Sequence, residues 1–361
     1  MTLSIRSAAA CRHDVAALGE CMVRLAPPGH GRLEFARQLE VDVGGGEYNV
    51  AYACARLGLR GTFLSALPDH PVARIILNHA RSAGLDVSHV RMERYDGVGR
   101  RSRLGLNFTE VGTGIRPSVT LYDRGHSAAS QMRPEDVDWA AVFEREGCRW
   151  LHTGGIFTAL SATAAATVKA ALQAADAAGT VTSYDLNFRG KLWGSEQAIA
   201  VNRQLIPHVR VLIGNEEDFQ KALGFEVEGV DAGLRALPVE SYRRMVERVV
   251  REYPNLAVVG TTLREVKSGL VNHWSGLLWH AGRCYEARAY RDLEIEDRVG
   301  GGDGFSSGVA YGFLTGLEPQ AIVDFAVAHG ALLQTTRGDT SQTTLAEVRH
   351  VLEGGTARIQ R

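Results

Sequence analysis

Glu296-Asp297-Arg298-Val299-Gly300-Gly301-Gly302-Asp303-Gly304-Phe305 leads into an apolar run with helical spacing, Gly304–Leu314. Three consecutive glycines let the backbone turn tightly and approach a ligand with no Cβ in the way. Free N–H groups at the start of the following helix converge on one concavity, which suits the charge of a phosphoryl group in transfer. Asp303 stands at its rim, where a carboxylate can take the proton of an attacking hydroxyl. A position near a helix start favours the ionised form that a base requires. The simpler use of the same residues is a flexible turn capped by Asp303. No GxxxxGK[ST] loop is present, so phosphate binding and base would have to share this one segment.

On either side of it the chain alternates. Strand-like runs occur at Val15–Leu18 continuing through Met22–Leu25, then Thr62–Ala66, Trp150–Leu151, Val181–Asp185, Val209–Ile213 and Leu256–Val259. Helical patterns occupy Asn49–Arg56, Pro71–Ala83, Thr163–Ala178, Ser241–Glu252, Gly304–Leu314 and Pro319–Leu333. This order predicts the α/β class, an open parallel sheet covered on both faces. An α/β barrel competes, but its eight regular units are not visible. Gly99–Tyr122 breaks the alternation: it reads as two antiparallel strands about a Gly-Thr-Gly turn, and with Leu33–Val43 it predicts a small separate sheet. That sheet suits an active-site cover or a dimer arm. Residues after Thr344 read as a last surface helix.

Composition excludes several classes. Of 361 residues, 45% are hydrophobic and 22% charged, and 40 Lys plus Arg balance 41 Asp plus Glu. This is a packed globule without a global attraction for nucleic acid or an anionic membrane. No apolar run reaches 18 residues, and the first twenty lack the pattern of a secretory leader, so a cytoplasmic location is expected. Cysteines 11, 21, 54, 148 and 284 are scattered without CxxC spacing, as free thiols rather than a disulfide or zinc framework.

Asp42-Val43-Gly44-Gly45-Gly46-Glu47-Tyr48-Asn49-Val50 is a second glycine loop entering a helix, suited to hydroxyls or a carboxylate, or simply a structural turn. It is not the GxGxxG dinucleotide pattern. Asn215-Glu216-Glu217-Asp218 follows a strand and offers oxygen ligands for water-mediated Mg²⁺, or an acidic first helical turn. Asp185-Leu186-Asn187-Phe188-Arg189-Gly190-Lys191 follows another strand. Its cations suit a carboxylate or phosphate, or ordinary salt bridges; Tyr122-Asp123-Arg124 carries the same two readings.

Together these motifs resemble the pfkB, or ribokinase-like, sugar kinase family, over nearly the whole chain from Gly19-Glu20 to Gly338-Asp339. Val299-Gly300-Gly301-Gly302-Asp303 is similar to the family's carboxyl-terminal signature, with Gly301 where alanine is usual. Gly45 to Ala51, Arg116-Pro117-Ser118, Tyr122-Asp123-Arg124, Asp185 to Arg189 and Asn215 to Phe219 are most similar to 2-keto-3-deoxygluconate kinases. The resemblance implies a ribokinase-like three-layer α/β/α sandwich at 14–344, a β lid from segments around 20–43 and 98–124, and a surface segment at 345–361. It implies ATP, Mg²⁺ and a sugar acid as ligands, leaves room for a monovalent cation, and implies a homodimer through the lid. Asp303 would activate the hydroxyl beside Gly300, Gly301 and Gly302. Gly45, Asn49, Asn107, Tyr122, Arg124, Arg189 and Asp339 would contact the acceptor. Thr261, Arg264 and Lys267 would serve the nucleotide, with Asn215, Glu216, Glu217 and Asp218 near its metal. Asp218 stands where the family usually has Glu. Arg24 stands where neutral-sugar kinases often have Asp, a change that favours an acidic acceptor. Alternatives are the galactonate epimer, fructose, ribose or a nucleoside as acceptor, or a non-catalytic sugar- or nucleotide-binding regulator.

Overall fold

Runs such as Val15-Ala16-Ala17-Leu18 and Val211-Leu212-Ile213 carry no charge, so both faces of these strands require cover. In the computed structural model, which describes residues 3–226 and 239–355 and Glu216 only through its backbone, they form the middle of a large sheet. The strands are β1 (His13–Leu18), β2 (Met22–Ala26), β3 (Glu40–Gly44), β4 (Gly61–Pro68), β5 (Val90–Glu93), β6 (Leu106–Glu110) and β7 (Val119–Asp123). They continue with β8 (Cys148–Gly154), β9 (Val181–Asp185), β10 (Val211–Ile213), β11 (Val258–Ser268), β12 (Val271–His280), β13 (Arg283–Glu286) and β14 (Tyr290–Glu294). Among the described residues the main sheet has ten strands, ordered β13-β12-β11-β10-β9-β8-β1-β4-β5 with β14 also on β12. Pairing is parallel from β11 to β5 and antiparallel among β11 to β14.

Strand alternation divides the core into two apolar layers. Ala16, Leu151, Tyr184 and Leu212 pack under the helices Ala162–Ala177, Ser195–Leu205 and Val239–Glu252. Val15, Trp150, Val211 and Val258 pack under Gly46–Arg56, Gly301–Thr315 and Pro319–Leu333. The result is the expected three-layer sandwich. Gly304, Gly308 and Gly312 form one stripe of the helix Gly301–Thr315, four residues apart. A Cβ at Gly308 would lie 2.5 Å from the Ala326 Cα, so small residues let the helix Pro319–Leu333 come close. The terminal helix Leu345–Leu352 is held by Val348, buried with Leu57, Tyr311 and Phe325.

The small sheet is real and ordered β3-β2-β6-β7. The apolar stretch 15–25 reads as one continuing strand, but it breaks at Gly19-Glu20-Cys21 and sends β2 into this second sheet. The Glu47 side chain fills the space a Cβ on Gly19 would need, which keeps that bend free of a side chain. The long hairpin of β11 and β12 extends far beyond the predicted Leu256–Val259, because its mixed sequence has no clear period. No helix among the described residues is long and apolar enough to cross a membrane.

Candidate active site

β8, β9 and β10 are parallel and end at Gly154, Asp185 and Ile213, and strand order reverses about β1. In such a sheet a crevice opens beyond the carboxyl ends. A cavity of about 320 Å³ lies there, within the usual range for small-molecule sites. The small sheet covers it with Asn107, Thr120, Tyr122 and Arg124, while Gly300 to Asp303 form the opposite wall.

Asp303 is the third residue of the helix Gly301–Thr315, and its Oδ2 accepts from Asn49 Nδ2 at 2.7 Å. Asn49 Oδ1 in turn accepts from the Gly45 N–H at 3.2 Å, so the second glycine loop orients the amide that holds Asp303. Burial pushes the Asp303 carboxyl up to about 7; the Asn49 donor opposes the rise, and the Asp339 and Glu47 carboxylates add to it. The expectation of a firmly ionised Asp303 is corrected here: desolvation outweighs the field of the helix start. A carboxyl near 7 is a better base for a hydroxyl than an ordinary one, and still ionises at neutral pH.

Gly300 adopts φ +87° and a Cβ on it would lie 2.5 Å from the Asp339 carbonyl oxygen. A Cβ on Gly301, where alanine is usual, would lie 2.9 Å from the buried side chain of Gln334, which would have to shift. Gly302 has nothing within 4 Å and opens on the cavity.

Asp339 also lines the cavity, but its carboxylate is ion-paired to Arg24, which reaches Asp297 at 2.6 Å as well. Arg24 is 1% exposed. Burial works against its charge, but Asp339 and Asp297 hold it protonated, its pKa above the ordinary guanidinium value. Arg24 therefore braces Asp339 of the cavity wall and Asp297 behind it, and does not face an acidic acceptor. Arg124 lines the cavity with its guanidinium paired to Glu20 (Nε to Oε2 2.7 Å) and lying 5.4 Å from the centre of the Tyr122 ring. Arg189 is exposed at the mouth, and it draws the Asp303 and Asp185 carboxyls towards ionisation.

Asn215 and Asp218 line the cavity and cap each other: Asp218 Oδ2 accepts from Asn215 N at 2.9 Å, and Asn215 Oδ1 from Asp218 N at 3.0 Å. Asp218 Oδ1 accepts from Phe188 N at 2.7 Å. The shorter carboxylate is thus a bracket between two strand ends. Glu217 is exposed and turned away from the cavity lining; the side chain of Glu216 lies outside the described residues. On β11, Arg264 and its neighbour Thr262 line the cavity, whereas Thr261 is fully buried on the other face. Lys267 points away from the cavity and pairs with Asp292 at 2.7 Å.

Among the cavity residues to which the sequence assigned no role, three are charged or hold an uncommon backbone conformation. Asp185 is buried at the end of β9; burial first, then the charges of Asp218 and Asp303, raise its carboxyl well above the usual range. A lone carboxylate ending a buried parallel strand was the available signal. Asn187 holds φ +31°, an uncommon conformation for a residue with a side chain, and faces the cavity. Arg298 lines it too, two residues before Gly300. A different cluster, His13, His89 and Glu146, gathers at the amino ends of β1 and β8. Its shared Glu146 oxygen already meets Arg12 at 3.3 Å, so it reads as an ion-paired group, not a metal centre.

A model of the pfkB family of carbohydrate kinases matches residues 12–250. The chain is 33% identical to the 2-dehydro-3-deoxygalactonokinase of Haloferax volcanii, covering 96% of this chain and 99% of that protein. It is 28% identical to the 2-dehydro-3-deoxygluconokinase of Thermoproteus tenax, covering 90% of each. The crystal structure of 2-dehydro-3-deoxygluconokinase from Thermotoga maritima superposes with a TM-score of 0.88 at 36% identity, over 95% of this chain and 100% of that one.

Proposed function

The chain belongs to the pfkB family of carbohydrate kinases, and on that premise we propose that it transfers the terminal phosphoryl group of ATP to the 6-hydroxyl of 2-dehydro-3-deoxy-D-gluconate. The observation that carries this reading is Asp303, a buried carboxyl at about 7 that lies beside an open glycine cradle and under a polar cover. In this mechanism Asp303 takes the proton of the acceptor hydroxyl while that oxygen bonds to the terminal phosphorus of ATP and the bond from that phosphorus to the bridging oxygen breaks, releasing ADP. The N–H groups around Gly302 receive the negative charge of the transferring phosphoryl oxygens. Asn107 and Tyr122 hold acceptor hydroxyls, Arg189 holds its carboxylate, and Arg124, already tied to Glu20, orients the cover. Arg264 serves the nucleotide phosphates on the other side.

Mg²⁺ fits the same wall. Asp185, Asp218 and Asn215 gather at adjoining strand ends, where the last two already accept backbone N–H groups and would hold the ion through waters. Burial first, and then the charges of Asp218 and Asp303, raises Asp185, and a divalent cation would relieve the second of these. When bound there, the ion neutralises phosphate charge and aligns the nucleotide.

The galactonate epimer is the second reading, favoured by the likeness to the Haloferax volcanii kinase. A phosphorylation assay with both epimers, an uncharged ketose and a nucleoside tests the assignment. Phosphorylation of the ketose or nucleoside in preference to both acids would remove the sugar-acid reading.

We further assign 14–344 to one kinase domain with its lid at 20–43 and 98–124, and a homodimer formed through the lid. An apolar row crosses the face of the small sheet away from the cavity, Val41, Leu25, Phe108 and Leu121 in direct register; Leu25 packs on the core, while Val41 is 52% and Leu121 54% exposed. Sedimentation of Leu121→Glu as a monomer, against a dimeric wild type, would support it. Five free cysteines, four of them buried, favour the cytoplasm.

A further inference from the structure

The turn Ser268–Leu270 between β11 and β12 touches the lid on one side and the glycine cradle on the other. Towards the lid, the Gly269 N–H donates to the Gly114 carbonyl at 2.8 Å. A Cβ on Gly269 would lie 2.9 to 3.0 Å from the Thr113 backbone, so the lid turn rests flat on this glycine. Towards the cradle, Arg298 Nε donates to the Gly269 carbonyl at 3.0 Å, and its Nη2 to the Ser268 carbonyl. Arg298 is half-buried, and Val299 and Gly300 follow it directly.

The charge around it is unusual for an arginine that fixes a turn. Burial and the neighbouring Arg264 both press its pKa below the ordinary guanidinium value. Among the described residues no carboxylate pairs with Arg298 or Arg264. Both of the donors named above are nevertheless spent on adjacent backbone carbonyls of the turn. The planar donors of a guanidinium span adjacent carbonyls at a fixed angle, which a point-like ammonium does not do.

We propose that Arg298 is a positioning residue that couples the docked lid to the alignment of the phosphoryl cradle. The lid turn 113–114 seats on Gly269, Arg298 holds Ser268 and Gly269, and the backbone leaving Arg298 sets Val299 to Gly302. A lid that fails to dock leaves the turn unsupported on one side, and the cradle loses its fixed angle to the acceptor. This inference rests on the kinase reading above.

The test is a double-mutant cycle of Arg298→Lys and Gly269→Ala, with kcat, both KM values and the melting temperature read for each protein. Each single change is expected to lower kcat about tenfold and raise the acceptor KM, while the ATP KM stays within about twofold. The double variant is expected to lose no more than the worse single one, because both break the same linkage. Multiplicative losses, or a lowered melting temperature with unchanged kcat, would overturn the coupling. Should Arg298→Lys fail to fold, Gly269→Ala lies outside the cradle and decides alone: an unchanged kcat and acceptor KM overturn the proposal. A wild type that phosphorylates no sugar acid would instead reject the kinase substrate reading, which separates the two failures.

Discussion

Gly44–Gly46 and Gly300–Gly302 are the same three letters leading into helices, and in both the first two glycines answer to crowding. A Cβ on Gly44 or Gly45 would strike the Asp339 carboxylate or the Glu20 carbonyl; on Gly300 or Gly301 it would strike the Asp339 carbonyl or Gln334. The third glycine of each opens on the cavity, Gly46 with only ordinary contacts to Asn187, Ile156 and Asp303, and Gly302 with none within 4 Å. They differ in backbone and in product. Gly45 is extended at φ 176°, open to any residue by conformation, while Gly300 is left-handed at φ +87°. The first loop delivers a side chain, the Asn49 amide; the second delivers backbone N–H groups and the carboxylate that amide holds. Asp339 touches both, its carboxyl against Gly44 and its carbonyl against Gly300. A glycine triplet therefore states that something comes close, and the residue behind it states what for.

The largest effect should come from Asp303→Asn, with kcat lower by roughly 10²–10⁴-fold in the phosphorylation assay and the fold retained. Retention of wild-type turnover would dissolve the distinction between the two loops, since neither would then carry the base. The same variant sharpens the electrostatics. The folded Asp303 pKa of about 7 lies above its ordinary carboxylate value, so folding takes up a proton between the two. The wild type loses that stabilisation as pH rises towards 7, and Asn does not. Melting temperatures at pH 5 and pH 8 should show Asp303→Asn gaining on wild type at the higher pH; an unchanged difference would refute the raised pKa.

Next in size are the two open glycines. Gly302→Ala should lower kcat about tenfold by intruding on the phosphoryl oxygens, and Gly46→Ala should raise the acceptor KM about fivefold, each with an unchanged melting temperature. If both changes moved the same kinetic parameter, the two loops would not divide the substrates between them. Asn49→Ala removes the donor that favours the Asp303 carboxylate. The acidic limb of the kcat/KM profile should then move to higher pH, and a limb that stays in place would detach Asn49 from the base. The smallest effect belongs to Lys267→Ala, within about twofold of wild type, because this exposed lysine pairs with Asp292 away from the cavity.

Much of the site was legible because its pieces are contiguous. Gly300 to Asp303 entering a helix, Asn215 and Arg189 following strands, and the alternation around Gly112–Gly114 are each written within about ten residues, where spacing governs local structure. Thr261 against Thr262 shows where that reasoning stops. The strand is legible, but which of two adjacent threonines faces the cavity depends on how β11 is turned in the sheet, and a shift of one residue reverses the face.

The sequence by itself determined the α/β order, the glycine cradle with its acid, and the small sheet beside it, since each follows from neighbours along the chain. Tertiary structure alone decided which charges meet. Arg24 is buried between Asp297 and Asp339, 273 and 315 residues away, and thus braces the cavity wall instead of greeting the substrate. Asp303 is raised to about 7 by enclosure, and Asp185 joins it from β9. Desolvation and Coulomb interaction depend on distance and burial in space, and no local pattern of residues encodes either.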